Sequence, residues 1–232
     1  MVDPDRVQIR LLTTLPELTA VNDVFAEVWG AGAPHIPLDL LRAISHADGY
    51  VAGAFDGDQM VGGSFGFLAM HHDEVTLHSH VTGVVSAARG LHVGTAIKQH
   101  QWAWARERGI AAITWTFDPL VRRNAWFNLG RLGARPVDYL VDFYGDLGDD
   151  INAGDESDRL LARWDTADPA ENPRPPTGFQ TVATPEDIES LRRTDPAAAM
   201  IWRHRMRDDL LDAARQRRVV GFTREGDYLI AP

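Results

Sequence analysis

Alternating hydrophobic and polar positions in the first half of the chain indicate strands with one buried face. Residues 50–55 and 60–69 flank the turn Asp56-Gly57-Asp58, and this arrangement predicts a β-hairpin. Residues 75–85 alternate in the same way and are rich in β-branched side chains, so they predict a further strand of the same antiparallel sheet. The first half of the chain is therefore expected to be built on a sheet.

Other segments carry the helical period. Leu18, Val21, Phe25 and Val28 are three or four residues apart, which predicts a helix that starts at Thr14 and runs to about Trp29. The other elements predicted in this region are a strand at Val7–Leu11, a helix near Pro37–His46, a helix at Gly94–Arg108 and a strand at Ala111–Phe117.

The remaining segments predict a small helix-plus-hairpin extension. A short helix at Asn124–Arg131 and strands at Val137–Tyr144 and Leu160–Trp164 are followed by a segment with four prolines. Beyond it lie two helical segments and a final hairpin, too few residues for a robust core of their own. We therefore predict a main domain at residues 1–165, a proline-rich linker at 166–178, and an extension at 179–232 that packs on the main domain.

Composition narrows the classes of function. The net charge of −10 argues against nucleic acid as a partner, because non-specific binding to nucleic acid depends on cation–phosphate contacts. The sequence contains no cysteine, which excludes disulfides, thiolate nucleophiles and cysteine-ligated zinc. Without a signal-peptide pattern or an apolar run of membrane-spanning length, we expect no membrane association and a cytoplasmic location.

A strand, a tight turn and a helix follow one another between residues 75 and 108. The amides at the start of a helix have no intrahelical acceptors, and the helix dipole is positive there, so a phosphate or pyrophosphate is the natural ligand. This pattern predicts a phosphorylated cofactor, although an ordinary strand–helix connection explains the turn about equally well.

Arg89-Gly-Leu-His-Val-Gly94 resembles the Arg/Gln-x-x-Gly-x-Gly/Ala pyrophosphate loop of the GNAT acyltransferases. The order of predicted elements is also that of the GNAT fold, so the resemblance implies an α/β (α+β) fold with a mixed central sheet flanked by helices. His92 stands where the family usually has a glycine. If that position needs a positive φ, histidine costs about 1–2 kcal/mol there, and weakened cofactor binding is expected.

The resemblance implies acetyl-CoA, or another acyl-CoA, as the cofactor, and it indicates which residues contact it. Val84 and Val85 lie where the family pairs strand backbone with the pantetheine arm, while for Asn124 and Asn128 a helix-capping role is equally plausible. The full set is Val84, Val85, Ser86, Arg89, Gly90, Leu91, His92, Val93, Gly94, Thr95, Asn124 and Asn128.

A wider likeness covers most of the chain, including Trp115–Leu120, Arg123–Ala134, Phe143–Asp146 and Trp202-Arg203. It resembles a branch of GNAT proteins described as predicted acetyltransferases, and the extension is similar to that of the branch. The implied activity is N-acyl transfer from acyl-CoA to the amine of a small molecule or amino acid.

Amine attack on a thioester requires a general base. Strand alternation puts His78, His80 and Thr82 on one face, and arylalkylamine N-acetyltransferases carry a similar His-x-His-Val, with both histidines assigned to proton relay. Two alternatives stay open: a hydrogen-bonded pair that shapes the pocket, or a metal site shared with His71 and His72.

The general acid is less evident, because Leu129 stands where many members of the fold have a tyrosine. Tyr144 is the predicted acid, with Tyr139 and Asp118 as alternatives. The backbone N–H of Val85 or of a nearby residue is a candidate to polarise the thioester carbonyl.

Arg203 and Arg205 are candidates to bind a carboxylate on an amino-acid acceptor or on a succinyl group. The alternative functions are therefore a succinyl-CoA-dependent amino-acid N-succinyltransferase and a non-catalytic CoA-binding or regulatory module. The extension is also a candidate interface for a homodimer.

Overall fold

The computed structural model describes residue 2 and residues 6–30, 36–71, 73–145, 155–167 and 178–232. The chain divides into two compact units, Met1–Ile113 and Thr114–Pro232. No helix of the described residues is long and apolar enough to cross a membrane.

The first unit is built on four antiparallel strands that pair in chain order. These strands are β1 (Val7–Leu11), β2 (Tyr50–Asp56), β3 (Gln59–His71) and β4 (Glu74–Val84), and the helices are α1 (Leu15–Trp29), α2 (Leu38–His46) and α3 (Val93–Glu107). The predicted hairpin and the antiparallel strand beside it are confirmed.

Glycines in the sheet allow α1 to pack closely on it. The buried face of α1 carries Leu18, Val21 and Phe25, which belong to the hydrophobic core of this unit. A Cβ on Gly63 would collide with the side chain of Val21, and one on Gly83 would lie 2.9 Å from the ring of Trp29. The position of α1 therefore depends on these two residues having no side chain.

The second unit contains the rest of the chain. Its elements are the end of β5 (Ala112–Phe117), α4 (Arg122–Ala125), a π-helix (Trp126–Arg131), β6 (Arg135–Leu140), β7 (Arg159–Asp165), β8 (Gln180–Ala183), α5 (Ile188–Thr194), α6 (Pro196–Arg215), β9 (Val219–Phe222) and β10 (Asp227–Ile230). β7 pairs with β6, and β8, β10 and β9 form a separate small sheet in that order.

Residues of the C-terminal extension contact earlier segments of the second unit. The Tyr228 hydroxyl donates to the Pro119 carbonyl at 2.8 Å, and Arg135 Nη1 donates to the Val220 carbonyl at 2.7 Å. Most of the predicted linker, residues 168–177, lies outside the described residues, and the predicted boundary at 166–178 stays a prediction.

The fold class is confirmed: the elements form a mixed α/β architecture with a sheet, flanking helices and a small C-terminal sheet. One local expectation was wrong, and two details were not predicted. The strand predicted at 137–144 ends at Leu140, and residues 141–144 form a turn. The helical segment predicted at 124–131 is confirmed, but it begins at Arg122 and is a π-helix from Trp126 onward. β8, a four-residue strand with a largely exposed pattern, was not predicted.

Candidate functional site

The two candidate histidines lie side by side on β4. The ring centroids of His78 and His80 are 6.2 Å apart, and Phe67 on β3 packs against both rings, with centroids at 5.2 and 6.0 Å. His78 is half-buried, while His80 is more exposed. The structure therefore brings the two predicted proton acceptors together on one apolar-lined surface.

A β-bulge places Thr82 away from this pair. The β3–β4 register shifts between Phe65 and Gly66, so that Phe65 is opposite Val81 and Gly66 is opposite Ser79, which leaves His80 as the extra residue. A bulge interrupts the simple alternation of side chains. Thr82 Oγ1 consequently lies 2.8 Å from Ser64 Oγ, and the expectation that Thr82 shares the face of the histidines is wrong.

Both histidines are biased toward the neutral form. Desolvation, together with the positive charges of His80 and Lys98, lowers the pKa of His78 to about 4. Desolvation also lowers the pKa of His80. At neutral pH each imidazole therefore has a nitrogen lone pair that can accept a proton or a hydrogen bond.

The turn after β4 leads to the N-terminus of α3. Ser86–Ala88 is a single turn of 3₁₀-helix, Gly90 has a φ of 81°, and His92 is left-handed with a φ of 62°. The helix begins at Val93, one residue before the predicted start. The premise that His92 needs a positive φ is thus confirmed, and its effect on cofactor affinity stays a prediction.

Side chains of this turn anchor it to the core. Val85 and Val93 are buried, and Val84 and Leu91 pack against the core of the first unit. The first intrahelical bond runs from Ala96 N to His92 O, so the amides of Val93, Gly94 and Thr95 precede the hydrogen-bonded part of α3. Arg89, beside Gly90, is exposed.

The amide of Val85 does not serve as an oxyanion donor in this structure. It donates to the Val61 carbonyl at 3.0 Å, as a continuation of the β3–β4 ladder, so the expectation is wrong for Val85 itself and stays a prediction for a nearby amide. The next amide, Ser86 N, donates to Glu27 Oε1 on α1 at 3.1 Å, and Ser86 Oγ lies 3.3 Å from the same oxygen. Sequence reasoning missed Glu27, whose contact with Ser86 joins segments 59 residues apart.

The predicted acid, Tyr144, lies in the second unit. Its hydroxyl is 2.9 Å from Thr116 Oγ1, and the Arg159 guanidinium lies over its ring, 5.4 Å from the centroid. The ring is partly exposed. A catalytic role for Tyr144 stays a prediction.

The alternative acids have other roles. The Tyr139 hydroxyl is buried and donates to Asp158 Oδ2 at 2.8 Å, and burial, followed by the Asp158 charge, raises the pKa of Tyr139. Asp118 is buried between Arg192 and Arg203, whose charges hold its pKa below the usual range. Neither group readily donates a proton at neutral pH, because Asp118 is already ionised and the pKa of Tyr139 is raised.

Arg203 is not available for a ligand carboxylate. Its side chain is fully buried and binds Asp118 and Asp155 at 3.0 and 2.8 Å, so the expected role for it is wrong. Arg205 is exposed on α6 and pairs with Asp209 at 3.7 Å.

The two candidate asparagines lie along α4 and the π-helix. Asn128 is buried, and its Oδ1 accepts from the indole nitrogen of Trp115 at 3.0 Å, which supports a structural role. Asn124 is half-buried, and its backbone amide donates to Val121 O. A contact of either side chain with a cofactor stays a prediction. Leu129 lies inside the π-helix and is buried.

No group of three or more metal-ligating side chains is found among the residues described, and His72 lies outside them.

Comparison with known proteins gives structural relatives only. No protein-family model matches the chain, and no curated protein matches it significantly. The ribosomal-protein-S18-alanine N-acetyltransferase from Escherichia coli is similar with a TM-score of 0.53 and 15% identity, over 72% of this chain and 99% of that protein. Naa50 of Arabidopsis thaliana, solved with the bisubstrate analogue CoA-Ac-MVNAL, has a TM-score of 0.51 and 16% identity, over 68% of this chain and 97% of its own.

A third relative has a different chemistry. GphF, a GNAT-like decarboxylase in complex with isobutyryl-CoA, has a TM-score of 0.53 and 16% identity, over 68% of this chain and 99% of its own. At such identities the likeness shows the fold alone.

Proposed function

We propose that this chain, which has the fold of the GNAT acyltransferases, is an acyl-CoA-dependent N-acyltransferase that acetylates the amine of a small molecule. The observation that carries the proposal is the pair His78 and His80, held largely neutral on the strand that leads into the turn at the N-terminus of α3. Relatives with this fold include an N-acetyltransferase and two proteins solved with CoA derivatives.

The turn supplies the donor site. The pyrophosphate of acyl-CoA binds the amides of Gly90, Val93, Gly94 and Thr95, where the helix dipole is positive. Arg89 adds a charge-assisted contact to a phosphate oxygen. The left-handed His92 directs the chain into α3 with a side chain where a glycine would be less strained.

The reaction follows from the neutral histidines. The amine nitrogen attacks the thioester carbonyl carbon, and its acidity rises as the new N–C bond forms, so that a weakly basic imidazole of His78 or His80 can accept the proton. The C–S bond then breaks, and the leaving thiolate takes up a proton. A thiol pKa of about 8.5 makes the thiolate a good leaving group, so a strong general acid is not required.

Calorimetry with acetyl-CoA and succinyl-CoA tests the donor site. We expect micromolar binding of acetyl-CoA that is lost in Arg89→Glu and in Gly94→Trp, which would fill the space beside the turn. Arg106→Glu carries the same charge change at the exposed end of α3 and serves as the control. Loss of affinity in the control as well, or no binding by the native protein, would refute the site.

Release of CoA thiol tests turnover. Because the chain has no cysteine, a thiol reagent reports the product without a protein background. A panel of small amines and amino acids should show release that falls at least about 100-fold in His78→Ala or His80→Ala, the usual contribution of a general base. His46→Ala, which is exposed at the end of α2, should retain activity.

A non-catalytic acyl-CoA-binding module is the second candidate. The strained His92 and the absence of a tyrosine at Leu129 favour it. Tight binding of acetyl-CoA without thiol release for any amine would support this module over the enzyme. The succinyl-CoA alternative is weakened, because Arg203 is engaged with two carboxylates.

The amino-acid acceptor, the cytoplasmic location and a homodimer through the extension are further proposals that rest on the sequence.

A further inference from the structure

Lys98 is the only lysine of the sequence, and it is buried. It lies on α3 with 3% of its surface exposed. A buried ammonium group is unfavourable unless its donors find partners, and buried lysines are uncommon. The position of Lys98 therefore calls for a physical explanation beyond helix packing.

The ammonium group of Lys98 is hydrogen-bonded to the strand that carries the histidines. Lys98 Nζ donates to Ser79 Oγ at 2.8 Å and to Gln101 Oε1 at 3.1 Å. Gln101 Nε2 in turn donates to Ser64 Oγ at 3.4 Å, and Ser64 Oγ lies 2.8 Å from Thr82 Oγ1. This buried network of side chains links α3 with β3 and β4.

Ser79 stands between His78 and His80 in the sequence of β4. Successive side chains of a strand point to opposite faces, so Ser79 projects toward α3 while the neighbouring His78 lies against Phe67. Lys98 therefore contacts the strand from behind the histidine pair, and its charge is felt by His78.

We propose that Lys98 is a positioning residue for the histidine pair: through its hydrogen bond to Ser79 it fixes the backbone between the two imidazoles, and it holds its ammonium group behind His78. This inference rests on the proposed function only in assigning the pair a role in proton transfer. The coupling between Lys98 and His78 is a property of the free protein.

The titration of Lys98 falls in the range where the coupling can be observed. Burial lowers the pKa of Lys98 to about 7. Below that pH the ammonium group disfavours a proton on His78, and above it the neutral amine no longer does. Protonation of the two groups is consequently linked, with each proton lowering the affinity for the other.

Other titratable groups on the packed elements have different neighbours. On α1, Glu27 accepts from Ser86; on α3, His100 Nδ1 lies 2.9 Å from the Tyr50 hydroxyl. On β3, His71 is opposite Glu74 in the register. His80 is the second cationic group that lowers the pKa of His78.

Nuclear magnetic resonance measures this coupling without substrate. With lysine labelled at its terminal carbon and nitrogen, the protein gives one signal, and we expect it to titrate near pH 7. With labelled histidine, the pKa of His78 should rise by at least half a unit in Lys98→Met, which keeps most of the length of the side chain but removes its charge. The exposed neighbour Gln99→Met is the matched control and should leave that pKa unchanged.

A purely structural Lys98 would give a different result: Lys98→Met would lose stability while the pKa of His78 stayed where it was, and this would overturn the inference. If Lys98→Met does not fold, the native protein decides. The His78 signal should then show an inflection at the pH where Lys98 titrates, and its absence would overturn the inference equally. Acyl transfer failing with this coupling present would refute the proposed function alone.

Discussion

Arg203→Met should be among the most destabilising substitutions in the second unit. The Arg203 side chain is fully buried, and its guanidinium makes two hydrogen bonds to Asp118, at 3.0 and 3.1 Å, and two to Asp155, at 3.4 and 2.8 Å. Arg192 binds the same two carboxylates at 2.5 and 2.9 Å. These ion pairs join two cations and two anions, and the positive charge of the buried Arg159 also acts on Asp118.

Removing one cation leaves two buried carboxylates with one arginine. Breaking a buried pair from one side typically costs about 3–5 kcal/mol, because the remaining charge keeps its desolvation penalty and loses its partner. We expect a loss of that size in the free energy of unfolding. Arg205→Met is the control: Arg205 is exposed on the same helix and pairs with Asp209 at 3.7 Å, so its loss should be below about 1 kcal/mol.

The assay is urea unfolding at pH 7, followed by circular dichroism and by fluorescence of the tryptophans, with Trp115 and Trp164 in contact inside this unit. Adding Asp118→Asn to Arg203→Met should recover part of the loss, since it removes one of the uncompensated charges. Equal stability of Arg203→Met and Arg205→Met, or no recovery in the double variant, would refute the charge-balance reasoning.

Three further predictions concern stability at low pH, the packing of Gly63 on β3, and the left-handed backbone of His92 before α3. The pKa of Asp118 is held below its ordinary value of 3.8 by two arginines, so its contribution to the free energy of unfolding is present above about pH 4 and is lost as the pH falls below that value. Urea midpoints at pH 7 and pH 3 should therefore show that the stability deficit of Arg203→Met is smaller at pH 3. An equal deficit at the two pH values would contradict this. Gly63→Ala should lose about 1–3 kcal/mol in the free energy of unfolding, measured by the same assay, because its new Cβ collides with Val21. In the control Gly221→Ala the new Cβ has its nearest neighbour at 3.6 Å, so stability should change by less than about 0.5 kcal/mol. Similar losses in both variants would contradict the packing explanation. His92→Gly should be more stable than His92→Ala by about 1 kcal/mol. Both variants lose the imidazole, and only alanine keeps the backbone strain of a φ of 62°. Equal urea midpoints for the two variants would argue against that strain.

Much of the first unit could be predicted from local pattern. The hairpin turn, the helix signals and the alternation along β4 are short-range features, and the structure places the corresponding elements within one or two residues of the prediction. Alternation failed at His80, because the β3–β4 register shifts by a bulge that no local pattern at residues 78–82 reveals. Thr82 was assigned to the wrong face for that reason.

The second unit was harder, since its decisive contacts join distant segments. Arg203 has the sequence context of an exposed helix residue, yet its partners Asp118 and Asp155 are 85 and 48 positions away. The burial of Lys98 is indicated more clearly by the sequence. The buried side of α3 is formed by residues at helical spacing: Ile97, Lys98, Gln101 and Trp104. A lone lysine within an inward-facing stripe could have been recognised as a buried charge.

Two of the buried polar clusters described above should respond to pH in separate ranges. The cluster of Asp118, Asp155, Arg192 and Arg203 joins charges of opposite sign, and the pKa of Asp118 is lowered, so it stays ionised until the solution is strongly acidic. Lys98 instead donates to two neutral oxygens, and burial lowers its pKa to about 7. A change of activity near neutral pH therefore reports on the network behind the histidines, whereas a loss below about pH 4 reports on unfolding of the second unit. Following unfolding and activity across the same pH series separates the two effects, because only the second should coincide with a change in circular dichroism.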